Sequence, residues 1–178
     1  MTTMDPGVIV VMGVAGSGKS TIAAELARRL GWRFAEGDAF HPAANVEKMR
    51  NGTPLTDVDR WPWLDSIAAW VGETRRAGAR CVVACSALKR AYRERIAAGR
   101  DDVRFVYLQG TYDLVSKRMA TRTGHYMPLA LLRSQYDTLE EPGTEENPIV
   151  LSIERPPDEL ITRILELLGG TAGLARGS

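Results

Sequence analysis

The sequence predicts an α/β fold in which helices cover both faces of a mostly parallel sheet. Two observations lead to this prediction. Five short apolar runs alternate along the chain with segments of helical spacing, and the first run leads through a glycine-rich loop into a helix. The 178 residues are enough for one domain with a buried core. The predicted strands span residues 8–12, 32–35, 81–85, 104–108 and 149–153.

The segments between the strands are interpreted as helices because their apolar residues recur at helical spacing. Gly52, Gly78 and Gly99 each follow one such segment, where glycine commonly ends a helix. Asp59 is expected to cap the helix that Pro62 opens. The predicted helices span residues 21–30, 43–51, 62–77, 89–98, 112–122, 128–141 and 158–168.

Residues 13–20, with the sequence GVAGSGKS, complete the phosphate-loop pattern G-x-x-x-x-G-K-S between a predicted strand and a predicted helix. Glycines let the backbone close around an anion, and the helix that follows adds its positive dipole end. Lys19 is expected to reach the β- and γ-phosphates, and the Ser20 hydroxyl to ligate Mg²⁺. The pattern predicts a nucleoside triphosphate site made of Gly13, Val14, Ala15, Gly16, Ser17, Gly18, Lys19, Ser20 and Thr21.

Composition argues against several classes of protein. Lys and Arg number 23 and Asp and Glu number 22, so the net charge of +1 gives no support for a nucleic-acid surface. No apolar run is long enough for a membrane span, and residues 1–7 lack the pattern of a secretory signal. Cys81 and Cys85 share one strand but are separated along it, so we expect them to be buried, unpaired and reduced, as in a cytoplasmic protein.

Ligands of parallel α/β sheets bind beyond the carboxyl ends of the strands, so the residues after each strand are the first candidates for function. Glu36 and Asp38 follow the second strand. Asp38 suits a base that accepts a proton from a hydroxyl group, and Glu36 suits support of Mg²⁺ from outside its direct ligands. The alternative for both residues is a solvated acidic turn.

Cations follow the third strand at Lys89, Arg90 and Arg93, where they could bind an anionic substrate. The alternative is a solvated basic face of a helix. Arg60, just ahead of the helix predicted from Pro62, points either into the crevice or toward Asp57.

The helix after the fourth strand carries Arg118 and Arg122, four residues apart, and Gly124 follows. This pattern is typical of a short mobile lid that brings arginine over a phosphate group and excludes water. A simple helix–turn–helix with exposed arginines is the alternative.

Further motifs occur in a fixed order between residues 8 and 153, nearly the whole domain, and together with the phosphate loop they resemble the gluconate kinase family. They are Gly37-Asp38 with His41-Pro42, Asn45 with Lys48-Met49, Gly52 with Pro54-Leu55, Asp57 with Asp59-Arg60, Pro62-Trp63-Leu64, Cys85-Ser86-Ala87-Leu88-Lys89 with Tyr92-Arg93, Gly124-His125-Tyr126, and Ser134-Gln135 with Leu139-Glu140 and Pro142.

The resemblance implies ATP-dependent, Mg²⁺-assisted phosphorylation of D-gluconate at its 6-hydroxyl. It implies a three-layer α/β/α kinase fold with a five-stranded parallel sheet, a lid at about residues 120–140, a homodimer and a cytoplasmic enzyme with no nucleic-acid or membrane partner. We expect one domain over residues 1–178, with frayed tails at 1–6 and 169–178.

Residue by residue, the resemblance makes Asp38 the base, with Lys19 and Arg122 contacting phosphates and Arg118 near the adenine. It makes Asp38, His41, Arg60, Lys89, Arg93, His125 and Gln135 substrate contacts, the last two from the lid. Two departures stand out. Glu36 replaces an aspartate that is frequent in relatives, and Trp61 replaces a basic residue.

Other nucleotide-binding classes fit less well. The Asn-Lys-x-Asp and Asp-x-x-Gly motifs of regulatory GTPases do not occur, and the third strand ends in Cys85-Ser86 rather than in the acids of remodelling ATPases. Shikimate kinase would have a glycine-rich turn after this strand, and a nucleotide acceptor would favour aromatic or apolar residues at the acceptor site. Kinases of these two kinds remain alternatives, as does a nucleotide-binding module without transfer.

Overall fold

The structure, a computed structural model, describes residues 5–121 and 128–169. It confirms the predicted fold class, because five parallel strands form one sheet in the order β2-β3-β1-β4-β5. Both ends of each predicted strand lie within two residues of the ends of the observed strand. The strands are β1 Val8–Met12, β2 Arg33–Glu36, β3 Cys81–Ala84, β4 Val103–Gln109 and β5 Ile149–Ser152.

The central strand β1 is buried along its whole length. It pairs with β3 on one edge and β4 on the other, so that Val10 lies opposite both Val83 and Phe105. A strand in this position needs apolar residues on both faces, which explains its unbroken apolar sequence. The loop after β1 therefore emerges in the middle of the sheet edge, where the chain order reverses and ligands of such sheets bind.

The helices follow the predicted order. In α1 the apolar residues at helical spacing are buried as expected, and Gly31 ends the helix in a left-handed conformation with φ of +69°. Helix α1 contacts α7, and α3 contacts α4. The bounds are α1 Lys19–Leu30, α2 Ala43–Arg50, α3 Asp57–Arg76, α4 Arg90–Ala97, α5 Tyr112–Thr121, α6 Leu129–Thr138 and α7 Pro157–Gly169.

The predicted start of α3 was wrong. The helix begins at Asp57 rather than Pro62, and Thr56 rather than Asp59 is its N-cap. The Thr56 hydroxyl accepts a hydrogen bond from the Asp59 N–H at 3.2 Å, and the Asp59 carboxylate accepts one from the Thr56 N–H at 2.8 Å. This reciprocal capping box satisfies two backbone donors, so the helix starts five residues earlier and includes Pro62.

Cys81 and Cys85 are buried and unpaired, as predicted. Burial raises the pKa of the Cys81 thiol to about 11 and that of Cys85 to about 12. Both side chains therefore stay protonated at neutral pH and serve as small apolar residues of the core.

Two observations concern the ends and the surface of the described chain. Pro6 is buried and Asp5 pairs with Arg80 at 2.8 Å, so these two residues of the predicted tail are in contact with the domain. Across the described ranges, no helix has both the length and the apolar character that crossing a bilayer requires.

The capping box yields a prediction for stability. We expect Thr56→Ala to lower the free energy of unfolding by about 1 kcal/mol, because the Asp59 N–H loses its acceptor. Thr162→Ala, at an exposed position inside α7, is the matched control and should change it by less than about 0.5 kcal/mol. Urea denaturation measures both variants, and equal effects would contradict the capping role of Thr56.

Candidate active site

The carboxyl ends of β1, β2 and β3 open into one cavity of about 850 Å³, a size in the range of ligand-binding clefts. Residues from several parts of the chain line it, including Met49, Pro54 and Leu55 on and after α2 and Ser86 and Leu88 after β3. The phosphate loop and the start of α1 contribute Ala15, Gly16, Gly18, Lys19, Ser20 and Thr21. The segments after β2 and at the start of α3 contribute Asp38, His41, Arg60 and Trp63, and helices α5 and α6 contribute Met119, Thr121, Leu131, Ser134 and Gln135.

The phosphate loop has the backbone conformation that its glycines predict. Gly13, Gly16 and Gly18 have φ values of +148°, +78° and +95°, where side chains other than glycine are rarely found. Gly16 also packs against α5, since a Cβ atom there would lie 2.8 Å from Met119. Helix α1 starts at this loop without a side-chain cap, so its first backbone N–H groups are available to an anion.

Within the loop, Gly13, Val14 and Ser17 are buried, while the other predicted nucleotide-binding residues line the cavity. The Lys19 ammonium donates a hydrogen bond to the Val14 carbonyl at 2.9 Å. This bond holds the lysine over the loop, where its charge faces the space that the loop surrounds.

Ser20 and Glu36 come together at the edge of this space, because the Ser20 hydroxyl donates a hydrogen bond to the Glu36 carboxylate. The hydroxyl and the carboxylate of this pair offer oxygen ligands, which Mg²⁺ prefers, so the pair fits the predicted metal site. Within residues 5–121 and 128–169, no group of three or more His, Cys, Asp or Glu residues is arranged to hold a metal ion. The protein would thus supply few of the ligands, which is usual where phosphates and waters provide the rest.

Asp38 lines the same cavity as the phosphate loop and lies on a 3-10 turn at Gly37–Phe40. The buried Trp63 indole holds this turn in place, because it donates a hydrogen bond to the Gly37 carbonyl at 2.8 Å. The Asp38 carboxylate is exposed to the cavity, where it can accept a proton.

His41 is held on the same side of the cavity. Its ring stacks on Trp63 with 4.1 Å between centroids, and Asn45 Nδ2 lies 3.2 Å from its Nδ1. The same Nδ2 atom donates to the Asp59 carbonyl at 2.9 Å, which identifies it as the amide nitrogen and makes His41 Nδ1 an acceptor. Burial lowers the pKa of His41, so the ring is neutral at pH 7 and carries its proton on Nε2.

Arg60 lines the cavity, and its guanidinium donates a hydrogen bond to the Tyr92 hydroxyl at 2.8 Å. Both sequence alternatives for Arg60 are realised, since its Nη1 also lies 3.9 Å from Asp57. Lys89 lies beside the same pair and binds the Asp57 carboxylate at 3.2 and 3.3 Å, but it is not among the residues that line the cavity.

Arg93 lies away from the cavity, contrary to the predicted substrate contact. Its side chain is 2% exposed and pairs with Glu146 at 2.7 Å, which holds the pKa of that carboxyl below its usual range. A second bond, at 2.9 Å, runs to the carbonyl of Ala87, whose left-handed φ of +46° is unfavourable for alanine. We therefore reassign Arg93 to a structural role: it stabilises the turn that follows β3.

The helices of the predicted lid contact the phosphate loop directly. Gln135 on α6 accepts a hydrogen bond from the Ala15 N–H at 2.7 Å. Arg118 on α5 donates to the Ile153 carbonyl at 2.6 Å and is not among the cavity-lining residues. The predicted roles of Arg122 and His125 concern residues outside the described ranges.

Sequence reasoning missed the part that Trp63 and Asn45 take in the site. The spacing of Trp63 with Ile67 and Val71 indicated a core residue, and the side chain is indeed buried. Its second role, fixing the turn that carries Asp38, depends on a partner 26 residues away in the sequence. Neither periodicity nor a local motif reports such a contact.

Comparisons with known proteins place the chain among kinases. Residues 8–142 match the family model described as an AAA domain. The chain is 48% identical over 162 residues to the gluconokinase of Gluconobacter oxydans strain 621H, covering 91% of each. It resembles the crystal structure of a sugar kinase from Janibacter sp. HTCC2649, with a TM-score of 0.88, 46% identity, and 96% and 98% of the two chains covered. It also resembles that of a gluconokinase from Sinorhizobium meliloti 1021, with a TM-score of 0.78, 41% identity, and 95% and 99% covered.

The reassignment of Arg93 can be tested against an exposed arginine on the same helix. We expect Arg93→Met to lower the free energy of unfolding by about 3 kcal/mol, because the Glu146 carboxylate, only 13% exposed, loses its guanidinium partner. Arg95, whose pair with Asp65 is about half exposed on both sides, provides the control Arg95→Met, which should barely move the unfolding midpoint. Unchanged stability of Arg93→Met combined with a raised KM for an acceptor would restore the predicted substrate contact.

Proposed function

The chain belongs to the gluconokinase family, and from that premise we propose that it transfers the γ-phosphoryl group of ATP to the 6-hydroxyl of D-gluconate. The products are 6-phospho-D-gluconate and ADP. The observation that carries the proposal is the cavity itself, which is lined both by the phosphate loop and by Asp38, His41 and Arg60. A nucleotide and a small hydroxyl-rich acid can meet in this space.

On the nucleotide side, backbone N–H groups of the phosphate loop and of the start of α1 bind the phosphates of ATP. The Gly13, Ala15 and Ser17 N–H groups are not among them, because they donate to acceptors within the protein. Lys19 offsets the negative charge that accumulates between the β- and γ-phosphates during transfer. Ser20, with support from Glu36, would hold Mg²⁺, which would supply positive charge to the same phosphates.

On the acceptor side, Asp38 orients the 6-hydroxyl and accepts its proton as the oxygen attacks phosphorus. His41, neutral and protonated on Nε2, donates a hydrogen bond to a hydroxyl oxygen of the sugar acid. Arg60 binds the carboxylate end, since guanidinium and carboxylate groups form paired hydrogen bonds. Lys89 adds positive charge to this end of the cavity without lining it.

The remaining assignments rest on the family resemblance. We propose that Arg118 lies near the adenine, that Arg122 contacts phosphates, and that His125 and Gln135 close over the acceptor within a lid at about residues 120–140. We also propose a single kinase domain that works as a cytoplasmic homodimer.

The proposed reaction predicts a clear acceptor preference. We expect ADP release with gluconate to exceed that with shikimate and with nucleoside monophosphates, because cationic and hydrogen-bonding groups line the cavity and suit a small hydroxyl-rich acid. A coupled ADP-release assay over this panel measures the preference. Turnover with gluconate no faster than the background hydrolysis of ATP would refute the assignment.

The role of Asp38 predicts a separate effect on turnover. We expect Asp38→Asn to lower kcat by at least about 10²-fold, because an amide cannot accept the proton, while ATP affinity stays within about two-fold. Asp101→Asn, at an exposed loop position outside the site, is the control and should keep wild-type activity. Asp38→Asn with normal kcat would remove this residue from the role of base.

A further inference from the structure

Tyr92 occupies the centre of a charged cluster beside the cavity. Its hydroxyl accepts a hydrogen bond from Arg60 Nη1 at 2.8 Å and donates one to the Asp57 carboxylate. Its ring lies 5.3 Å from the guanidinium carbon of Arg60 and 5.7 Å from Lys89 Nζ. One side chain, only 1% exposed, thus contacts both of the cations proposed to serve the acceptor.

The chemistry of Arg60 and Asp57 determines which group donates in each hydrogen bond of this cluster. Arg60 can only donate, and the Asp57 carboxylate can only accept, so the Tyr92 hydroxyl must accept from the first and donate to the second. Burial and the bond to Asp57 raise the pKa of Tyr92 to about 12, so the hydroxyl keeps its proton at neutral pH. Tyr92 therefore holds Nη1 of Arg60 in a single orientation.

The charges within the cluster leave an excess of positive charge. Arg60 and Lys89 face a single carboxylate, that of Asp57. The Asp57 side chain is 46% exposed, so water screens its charge, whereas the Arg60 side chain is 12% exposed. Within residues 5–121 and 128–169, Nη1 is the only guanidinium nitrogen of Arg60 that has a hydrogen-bond partner. The other N–H groups of Arg60 have no hydrogen-bond partner among the residues that the structure describes, so they can bind an anion in the cavity.

A guanidinium group binds a carboxylate through two parallel hydrogen bonds, and this geometry requires that the plane of the guanidinium be fixed in advance. Resting on the proposed function, we propose that Tyr92 is a positioning residue that aims Arg60 at the carboxylate of the sugar acid. It acts through Arg60 and does not itself touch the reacting atoms.

The variant Tyr92→Phe tests this role, because it removes the hydroxyl but keeps the ring with its contacts to Arg60, Lys89 and Trp61. We expect KM for gluconate to rise about ten-fold, the size expected when a hydrogen bond to a charged group is lost. Both kcat and KM for ATP should stay within about two-fold of wild type. The control is Tyr107→Phe, which removes another buried hydroxyl, bonded to Glu141 at 3.0 Å, and should leave KM for gluconate unchanged.

A double-mutant cycle separates positioning from a general effect on packing. If Tyr92 acts through Arg60, then Tyr92→Phe should change kcat/KM for gluconate by less than about two-fold in an Arg60→Ala background. The same ten-fold loss in both backgrounds would overturn the proposal. So would a fall in kcat, or an equal rise of KM for ATP, because either would indicate a structural role.

Different results would refute the proposed function and the role of Tyr92. Wild-type enzyme that does not phosphorylate gluconate would refute the proposed function, and this inference with it. Wild-type enzyme that turns over gluconate, together with a Tyr92→Phe variant of unchanged KM, would overturn only the role of Tyr92.

Discussion

The close approach of β2 and β3 at their carboxyl ends determines where the acceptor side of the site lies. A Cβ atom at Gly37 would sit 2.3 Å from the Ala84 carbonyl oxygen, so no larger residue fits between these strands without moving the backbone. The Trp63 indole then bonds the Gly37 carbonyl and stacks on His41. Asp38 and His41 thus owe their positions to a contact between backbones and to one aromatic side chain, and both lie on the edge that faces the phosphate loop.

The sequence predicted the fold and the backbone conformation of the phosphate loop well, because both depend on local patterns. The apolar run of β1 and the glycines of the phosphate loop each fix a backbone shape over a few residues. The acceptor side was harder to predict, since its geometry depends on pairs that lie far apart in sequence. Arg93 looked like a substrate contact because it follows a strand, but Glu146, 53 residues later, holds it in the interior.

The segment between α6 and β5 contains acidic residues that form hydrogen bonds with the rest of the domain. The Glu140 N–H donates to the Leu88 carbonyl at 2.7 Å, and the Glu141 carboxylate accepts from Tyr107. Glu146 binds the buried Arg93. The bond to Leu88 and the buried Arg93 pair both fall at the turn and helix that follow β3, so the segment that leaves α6 is anchored next to the acceptor side of the cavity.

The hydrogen bond between Gln135 and the Ala15 N–H has a consequence for how the two substrates influence each other. It links the helix that borders the acceptor space to the backbone that surrounds the triphosphate. A ligand that shifts α6 changes the free energy of this bond, and so does a ligand that reshapes the loop. Where the binding of one substrate shifts this bond, reciprocity requires that each substrate alter the affinity of the other by the same factor. The bond is thus a direct contact through which the two substrates of one subunit can be coupled.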